Sequence, residues 1–191
     1  GITLPITKHN YLVTRADQIA ETIREAFYIA RSGRPGPVLI DICKNAQVDS
    51  CEFVYPDEPK LPGYQPVTRS PRNLLDDAVA LIEKAHKPII LCGHGVIMSQ
   101  AEEALMQFAV KTQTPVSSTL LGLGAFPASH PLSLGMMGMH GEAYANNAIQ
   151  NSDLILAFGM RFDDRVTGTL KTYAPRAKKI HIEIDPSEVH K

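Results

Sequence analysis

The sequence predicts an α/β fold in which a parallel sheet carries helices on both faces, and three observations lead there. Leu154-Ile155-Leu156-Ala157-Phe158 is apolar at every position, as a strand covered on both faces must be. Runs of this kind alternate with segments whose apolar residues recur at helical spacing, the order that right-handed crossovers between parallel strands produce. Gly159 then lets the chain turn sharply just before Arg161, Asp163, Asp164 and Arg165. Strand exits are where open α/β sheets place their ligands, so this charged exit marks His140 to Gly168 as the first candidate site.

Each element has its own signal. Ile19, Ile23, Ala26, Phe27 and Ala30 share one face of a helix over Asp17 to Ala30, and Gly33 offers a stop. Gly36 to Ile42 reads as a short buried strand. Residues 1 to about 45 thus supply one helix and one strand, too little for a core, and look like the tail of a larger domain. Pro56, Pro59, Pro62, Pro66 and Pro71 punctuate a stretch without periodicity, which suits an extended linker and a domain boundary. Ser70 and Pro71 look like the cap and first turn of a helix carrying Leu74, Leu75, Ala78, Val79 and Ile82, followed by a strand from Pro88 to Cys92. Ser99 with Glu102 has capping-box spacing for a helix carrying Ala101, Leu105, Phe108 and Ala109. A short strand near Val116 to Thr119 follows. Leu121 to Met139 reads as a long irregular connection, Ala143 to Gln150 as a helix, and Ile180 to Ile184 as a last strand. The chain stops at Lys191 as Pro186-Ser187-Glu188 begins another helix, which suggests a truncated chain.

Bulk properties exclude several classes. With 19 basic and 20 acidic residues and 44% hydrophobic content, neither a nucleic-acid-binding field nor disorder is indicated. There is no apolar run long enough to span a membrane and no signal-peptide pattern at the start, so the expectation is a cytoplasmic protein without membrane or nucleic-acid partners. Cys43, Cys51 and Cys92 lack C-x-x-C spacing and suit incidental thiols better than a disulfide framework or a zinc site.

Gly93-His94-Gly95 follows a strand, where two glycines would let backbone N–H groups approach a phosphate; a tight turn explains the pattern equally well. A dinucleotide fingerprint would want a third glycine where Met98 stands and an acid where Ser117, Ser118 and Thr119 occur, which disfavours an ordinary NAD site. Met136, Met137 and Met139 lead into His140 and Gly141, a soft surface able to adapt to a flat aromatic ligand or to fill a core. His140 has no partners at metal-ligand spacing, and no metal role is assigned. Arg161 or Arg165 can grip a diphosphate or carboxylate while Asp163 and Asp164 hold the guanidinium; a solvated ion-pair cluster is the plainer alternative. Glu183 and Asp185 can accept from ribose hydroxyls or simply mark a turn. There is no G-x-S-x-G elbow and no phosphate-binding G-x-x-x-x-G-K-[ST] loop. Spacing alone ends at an α/β domain that binds a nucleotide-like ligand.

Gly1-Ile-Thr-Leu-Pro-Ile-Thr-Lys-His-Asn-Tyr, Ser32-Gly-Arg-Pro-Gly-Pro-Val-Leu-Ile-Asp-Ile, Met139-His-Gly and Arg161-Phe-Asp-Asp-Arg-Val-Thr-Gly occur in that order across the chain. Together they resemble the large catalytic subunit of the acetolactate synthase (acetohydroxyacid synthase) family. The resemblance implies a thiamine-diphosphate enzyme that decarboxylates pyruvate and joins the two-carbon unit to a second pyruvate or to 2-oxobutanoate, in valine and isoleucine synthesis. Residues 1–48 then resemble the end of the pyrimidine-binding domain, 49–71 a linker, and 72–191 an incomplete, Rossmann-like central domain that binds FAD, largely as a structural cofactor.

The resemblance also implies roles. Arg34 corresponds to a flavin-contacting arginine from the first domain. Gly93, His94 and Gly95 match the loop at the FAD phosphates and ribityl chain, and Thr119, Leu120 and Leu121 match the next contact strand. Met139, His140 and Gly141 line the flavin; Gly159, Arg161, Asp163 and Arg165 contact it or its surroundings; Glu183 and Ile184 meet the adenosine end. Arg165, Lys44 and Met139 are implied on the substrate side, with Arg165 reading the carboxylate of the second oxo acid. Lys44 sits in DICKN where DIPKD is commoner. The family's ring-activating glutamate and its GDG motif for Mg²⁺ match nothing here, so the isolated chain is expected to be inactive. Implied partners are the small oxo acids, a second copy in a homodimer or tetramer, and a regulatory small subunit. Another FAD-containing carboligase, such as glyoxylate carboligase, a flavin-using oxidase, and a non-catalytic nucleotide-binding module stay open as alternatives.

Overall fold

The computed structural model describes residues 1–189, and the chain divides into two compact units, Gly1–Arg69 and Ser70–Lys191. The first contains β1 (His9–Val13), α1 (Ile19–Arg31), β2 (Val38–Ile42) and α2 (Lys44–Val48). β1 and β2 pair in parallel with Tyr11 opposite Ile40, and α1 buries Thr22, Ala26 and Ile29. A strand and a short helix are therefore present beyond the single helix and strand the pattern suggested. β1 opens on His9-Asn10 with no turn residues to frame it, and α2 has only five residues, too few to show a period. β2 is also less buried than expected, since Leu39 and Asp41 alternate outward.

Lys8 ties the first unit together. Its ammonium donates to the carbonyls of Ile29 (2.6 Å) and Ser32 (2.5 Å) at the end of α1 and to the Tyr64 hydroxyl (2.7 Å), where a cation complements the helix dipole. Burial pushes the Tyr64 phenol up, yet bonds from Lys8 and Ser32 outweigh it and lower its pKa. Arg24 donates to the Asp57 carbonyl at 2.7 Å, so the proline-bearing stretch is held against α1 at both of these points.

The second unit contains α3 (Arg72–Lys84), β3 (Pro88–Cys92), α4 (His94–Met98), α5 (Glu102–Thr112), β4 (Val116–Ser118), β5 (Ser133–Met136), α6 (Ala143–Gln150), β6 (Leu154–Phe158), α7 (Asp164–Thr167) and β7 (Lys178–Ile182). All five strands are parallel, in the order β5-β4-β3-β6-β7. This is the α/β sheet that the sequence predicted. Strand alternation divides the core between its faces. Ile90, Cys92, Leu154 and Leu156 pack with Val96, Leu105, Ala109 and Phe126 on one side. Ile89, Leu91, Ile155 and Ala157 pack with Met137, Ile149, Met160 and Tyr173 on the other. Two cores sharing two strands explain why β3 and β6 are apolar throughout.

Several boundaries differ from the sequence pattern. Pro71, rather than Ser70, occupies the N-cap position of α3, without a side-chain cap. Ala101 precedes α5, and the Ser99 hydroxyl donates back to the Gly95 and Val96 carbonyls of α4 instead of forming a capping box. The connection from Leu121 to Met139 contains β5, an edge strand whose register against β4 shifts between Val116 and Ser118. β7 begins two residues before the expected Ile180, because Lys178 and Lys179 are tolerated on an exposed edge. Pro186–Glu188 forms a 3-10 turn, capped by the Asp185 carboxylate on Ser187 N.

Asp153 joins the start of β6 to the turn before β3 by accepting from His86 N (2.7 Å) and Lys87 N (2.9 Å). Burial raises its pKa, but these backbone donors outweigh burial and hold it below the ordinary carboxylate value. A depressed folded pKa contributes stability that is complete above the unfolded value of about 3.9 and is lost as pH falls through the folded one. Asp153→Ala is therefore expected to cost about 1 kcal/mol near neutral pH, after allowing for solvent screening. The deficit should narrow as urea midpoints are measured at progressively lower pH below about 4.

Candidate functional site at the strand exits

A parallel sheet brings the carboxyl ends of all its strands to one edge. Here that edge carries Gly93–Gly95 after β3, Thr119–Leu121 after β4, Met137–Gly141 after β5, Gly159–Arg165 after β6, and Glu183–Ile184 after β7. The chain winds outward from β3 through β4 to β5, then returns to β6 on the other side of β3. The β3–β6 boundary is therefore the topological switch point, where such sheets open a crevice.

The two exits at that boundary are bonded to each other. Gly93 N donates to the Phe158 carbonyl at 3.0 Å, and Gly95 N to the Gly159 carbonyl at 2.9 Å. A Cβ on Gly93 would lie 2.4 Å from the Gly159 oxygen, and one on Gly95 would lie 2.6 Å from the Gly159 Cα. Of the two readings the sequence left open, the tight turn holds for these two amides: both are spent on the neighbouring exit, and the missing side chains admit backbone. Gly159 has φ +56° and lies against Gly95 and Val96 in turn, so the pattern spans both loops. His94 stays exposed, with Nδ1 3.1 Å from the Leu121 carbonyl.

After β4, Thr119 N donates to the Cys92 carbonyl (2.9 Å), and the Thr119 hydroxyl accepts from Gly122 N (3.1 Å), capping the 3-10 turn Leu120–Gly122. That turn pushes Leu120 and Leu121 outward, each 68% exposed. Below it, the buried Cys92 thiol lies 3.1 Å from the Ser118 hydroxyl, and burial pushes its pKa up.

After β5, Gly138 has φ +95°, and a Cβ there would stand 2.7 Å from the Arg165 carbonyl. Met139 N donates to that carbonyl at 2.8 Å. Gly141 is packed as tightly, with its would-be Cβ 2.4 Å from the Met136 oxygen. Met139 and His140 project as exposed side chains between these two glycines.

After β6, Arg161 Nε donates to Asp163 Oδ2 at 3.2 Å, the carboxylate support the charge pattern suggested. The other oxygen, Oδ1, accepts from Arg165 N (3.1 Å) and Val166 N (3.3 Å) as the N-cap of α7. Asp163 is thus committed to shaping the loop. The Arg165 guanidinium points elsewhere, with Nη1 3.7 Å from Met139 Sδ. After β7, Glu183 lies just beyond the strand, and its Oε1 accepts from Ile184 N (2.9 Å) and Asp185 N (3.3 Å).

Two residues that sequence reasoning missed hold these loops. His181 on β7 donates from Nε2 to the Met160 carbonyl at 2.7 Å, and Asn146 on α6 makes two bonds to Gly138 at 2.9 Å. For Asn146 the available signal was a poor helix former midway along a short helix; for His181 it was a polar residue within an apolar strand. Arg34 and Lys44 belong to the first unit, both exposed, Lys44 at the start of α2. Among the described residues, no group of three or more His, Cys, Asp or Glu side chains gathers as a metal site, and no helix is long and apolar enough to cross a membrane.

The edge as built offers exposed apolar side chains, Leu120, Leu121, Met139 and Ile184, beside the cations of Arg161 and Arg165. The chain is 51% identical over 191 residues to the acetolactate synthase large subunit of Corynebacterium glutamicum, covering all of this chain and 30% of that protein. It is 52% identical over 197 aligned residues to acetolactate synthase 2, chloroplastic, of Nicotiana tabacum, covering 29% of it. It is 47% identical over 194 aligned residues to the probable acetolactate synthase large subunit of Methanocaldococcus jannaschii, covering 33% of it. The chain therefore spans about a third of the length of these relatives. Residues 75–191 match the family described as thiamine pyrophosphate enzyme, central domain. With more than half its length in that match and the five-stranded parallel sheet that houses it, the chain belongs to the thiamine pyrophosphate enzyme family.

Proposed function

We propose that this chain is the part of an acetolactate synthase catalytic subunit that ends the pyrimidine-binding domain (1–48), crosses a proline-rich linker (49–71) and builds most of an FAD-binding central domain (72–191). The observation that carries this reading is identity of 47–52% across the whole chain, in both units, with relatives that bear that name. The whole subunit then converts pyruvate, with a second pyruvate or 2-oxobutanoate, into acetohydroxy acids, working in the cytoplasm as a homo-oligomer with a regulatory small subunit.

The residues present fit FAD. Large apolar side chains at 49–68% exposure, Leu120, Leu121, Met139 and Ile184, share an edge with two arginines, which matches a ligand that is flat and apolar at one end and anionic in the middle. When bound, FAD supplies that ring and diphosphate as structure, with no net redox chemistry. Arg161, steadied by Asp163, neutralises the diphosphate. Leu120, Leu121, Met139 and His140 would present the surface for the ring, and Glu183, with Ile184, would hold the adenosine end. Gly93, Gly95, Gly141 and Gly159 serve by holding the loops close. By resemblance to the family, Arg34 is assigned to the flavin and Lys44 to the substrate. Arg165 reads the carboxylate of the second oxo acid, which suits a permanently charged, planar fork. Thiamine diphosphate and Mg²⁺ belong to the whole enzyme, and no residue of this chain is assigned to them.

The test is acetolactate formation from pyruvate by the full-length protein supplied with thiamine diphosphate, Mg²⁺ and FAD. Product is expected from pyruvate alone, and mixed product when 2-oxobutanoate is added. Preferential turnover of glyoxylate, or flavin-dependent oxygen consumption without carboligation, would replace this reading with one of its alternatives.

A further inference from the structure

We infer that Asn146 is a positioning residue, which sets Met139 and Arg165 by clamping the peptide groups of Gly138. The inference rests on the reading of this edge as the flavin and oxo-acid surface, and it assigns a role to a residue outside the recognised motifs. The Asn146 side chain makes a reciprocal pair of bonds, accepting from Gly138 N at Oδ1 and donating from Nδ2 to the Gly138 carbonyl, both at 2.9 Å. A single side chain thereby fixes both polar groups of a glycine whose φ of +95° has no other local restraint from a side chain of its own.

The bonded path continues without a break. Gly138 lies against the Arg165 carbonyl, where a Cβ would come within 2.7 Å. The next residue, Met139, donates its N–H to that same carbonyl at 2.8 Å, and its sulfur lies 3.7 Å from Arg165 Nη1. Gly141 N also donates to the Gly138 carbonyl, at 2.9 Å, closing the turn that carries His140. Asn146 can act as an anchor because its own helix is fixed. Its neighbours Ala145 and Ile149 are 0% and 1% exposed, so α6 cannot shift without opening the core. Asn146 itself is only half-buried, so losing its side chain removes the clamp and leaves that core intact. A loop carrying two exposed functional side chains is thus referenced to the rigid part of the domain through one amide, the kind of support that fixes a site's geometry.

The experiment uses the full-length protein with Asn146→Ala, Asn146→Asp and, as a neighbour on the exposed side of the same helix, Asn147→Ala. Amide hydrogen exchange at Gly138 and Met139 should quicken by about tenfold or more in Asn146→Ala. It should quicken in Asn146→Asp as well, because a carboxylate oxygen replaces the donor against the Gly138 carbonyl and the repulsion opens the pair. Asn147→Ala should match wild type. With activity, KM for the second oxo acid and the ratio of products should move about tenfold towards loss of discrimination while kcat at saturating pyruvate changes less. Unchanged exchange at Gly138 and Met139 in both Asn146 variants would overturn the inference, and so would faster exchange with unaltered product ratio. If Asn146→Ala does not fold, the same readings on Asn146→Asp decide the matter. A wild-type protein that neither binds flavin nor forms acetolactate would refute the functional reading instead, and the exchange result would still say whether Asn146 holds the loop.

Discussion

Gly93→Ala is expected to cost the second unit at least about 3 kcal/mol of stability and to lower its thermal midpoint by roughly 10 °C or more. The new methyl would sit 2.4 Å from the Gly159 carbonyl oxygen, 2.5 Å from Met160 Cβ and 2.7 Å from Met160 Cα. Two of these atoms are backbone, held by β6 and by the bond from Gly93 N to Phe158 O, so no rotamer change relieves the contact. Relief requires the β3 and β6 exits to part, and β3 and β6 are the central strands, with Leu91 and Ala157 both 0% exposed. Gly63→Ala, in the first unit, is the control for an open position, since nothing lies within 4 Å of its would-be Cβ; it should leave the second unit within about 0.5 kcal/mol of wild type. Denaturant midpoints of the two variants measure the difference. Equal stabilities would mean that the two exits are not packed as described.

Arg165→Lys in the full-length protein is expected to reduce discrimination between second oxo acids by roughly 10- to 100-fold while leaving flavin content nearly unchanged. Lysine keeps the charge and loses the planar, two-pronged donor that matches a carboxylate. Flavin retention should survive because the loop's shape is set elsewhere. The Asp163 carboxylate caps α7 through the backbone N–H groups of Arg165 and Val166, and Met139 N bonds the Arg165 carbonyl. None of these uses the guanidinium. Competition between pyruvate and 2-oxobutanoate, read alongside visible flavin absorbance per subunit, separates the two effects. Parallel loss of both would contradict a substrate-facing Arg165 and make it part of the flavin cradle.

What the sequence disclosed depended on how many neighbours each segment had. β3 and β6 lie between two cores, so every position is apolar and the runs are unmistakable, and α6 was bounded correctly because Ala145 and Ile149 repeat on one face. β5 and β7 are edges, and edges tolerate the Gly135 and the Lys178-Lys179 pair that made one look like loop and shifted the other. The charged loop was recognised, including the support of Arg161 by Asp163. The glycines stayed open between two readings, for a physical reason. A backbone approached by a ligand and a backbone approached by another backbone both demand a missing Cβ, and only the distances from Gly93 and Gly95 to Gly159 and Met160 distinguish them. The Asn146 clamp was equally hidden, because an amide bonded to a glycine eight residues earlier leaves no periodic trace.

The proposed role of this sheet edge is the flavin-binding face of an acetolactate synthase subunit. The most direct measurement is the visible absorbance of the full-length protein after incubation with FAD and gel filtration. Flavin bands are expected to co-elute with the protein in near-stoichiometric amount. A folded, colourless protein under those conditions would contradict it.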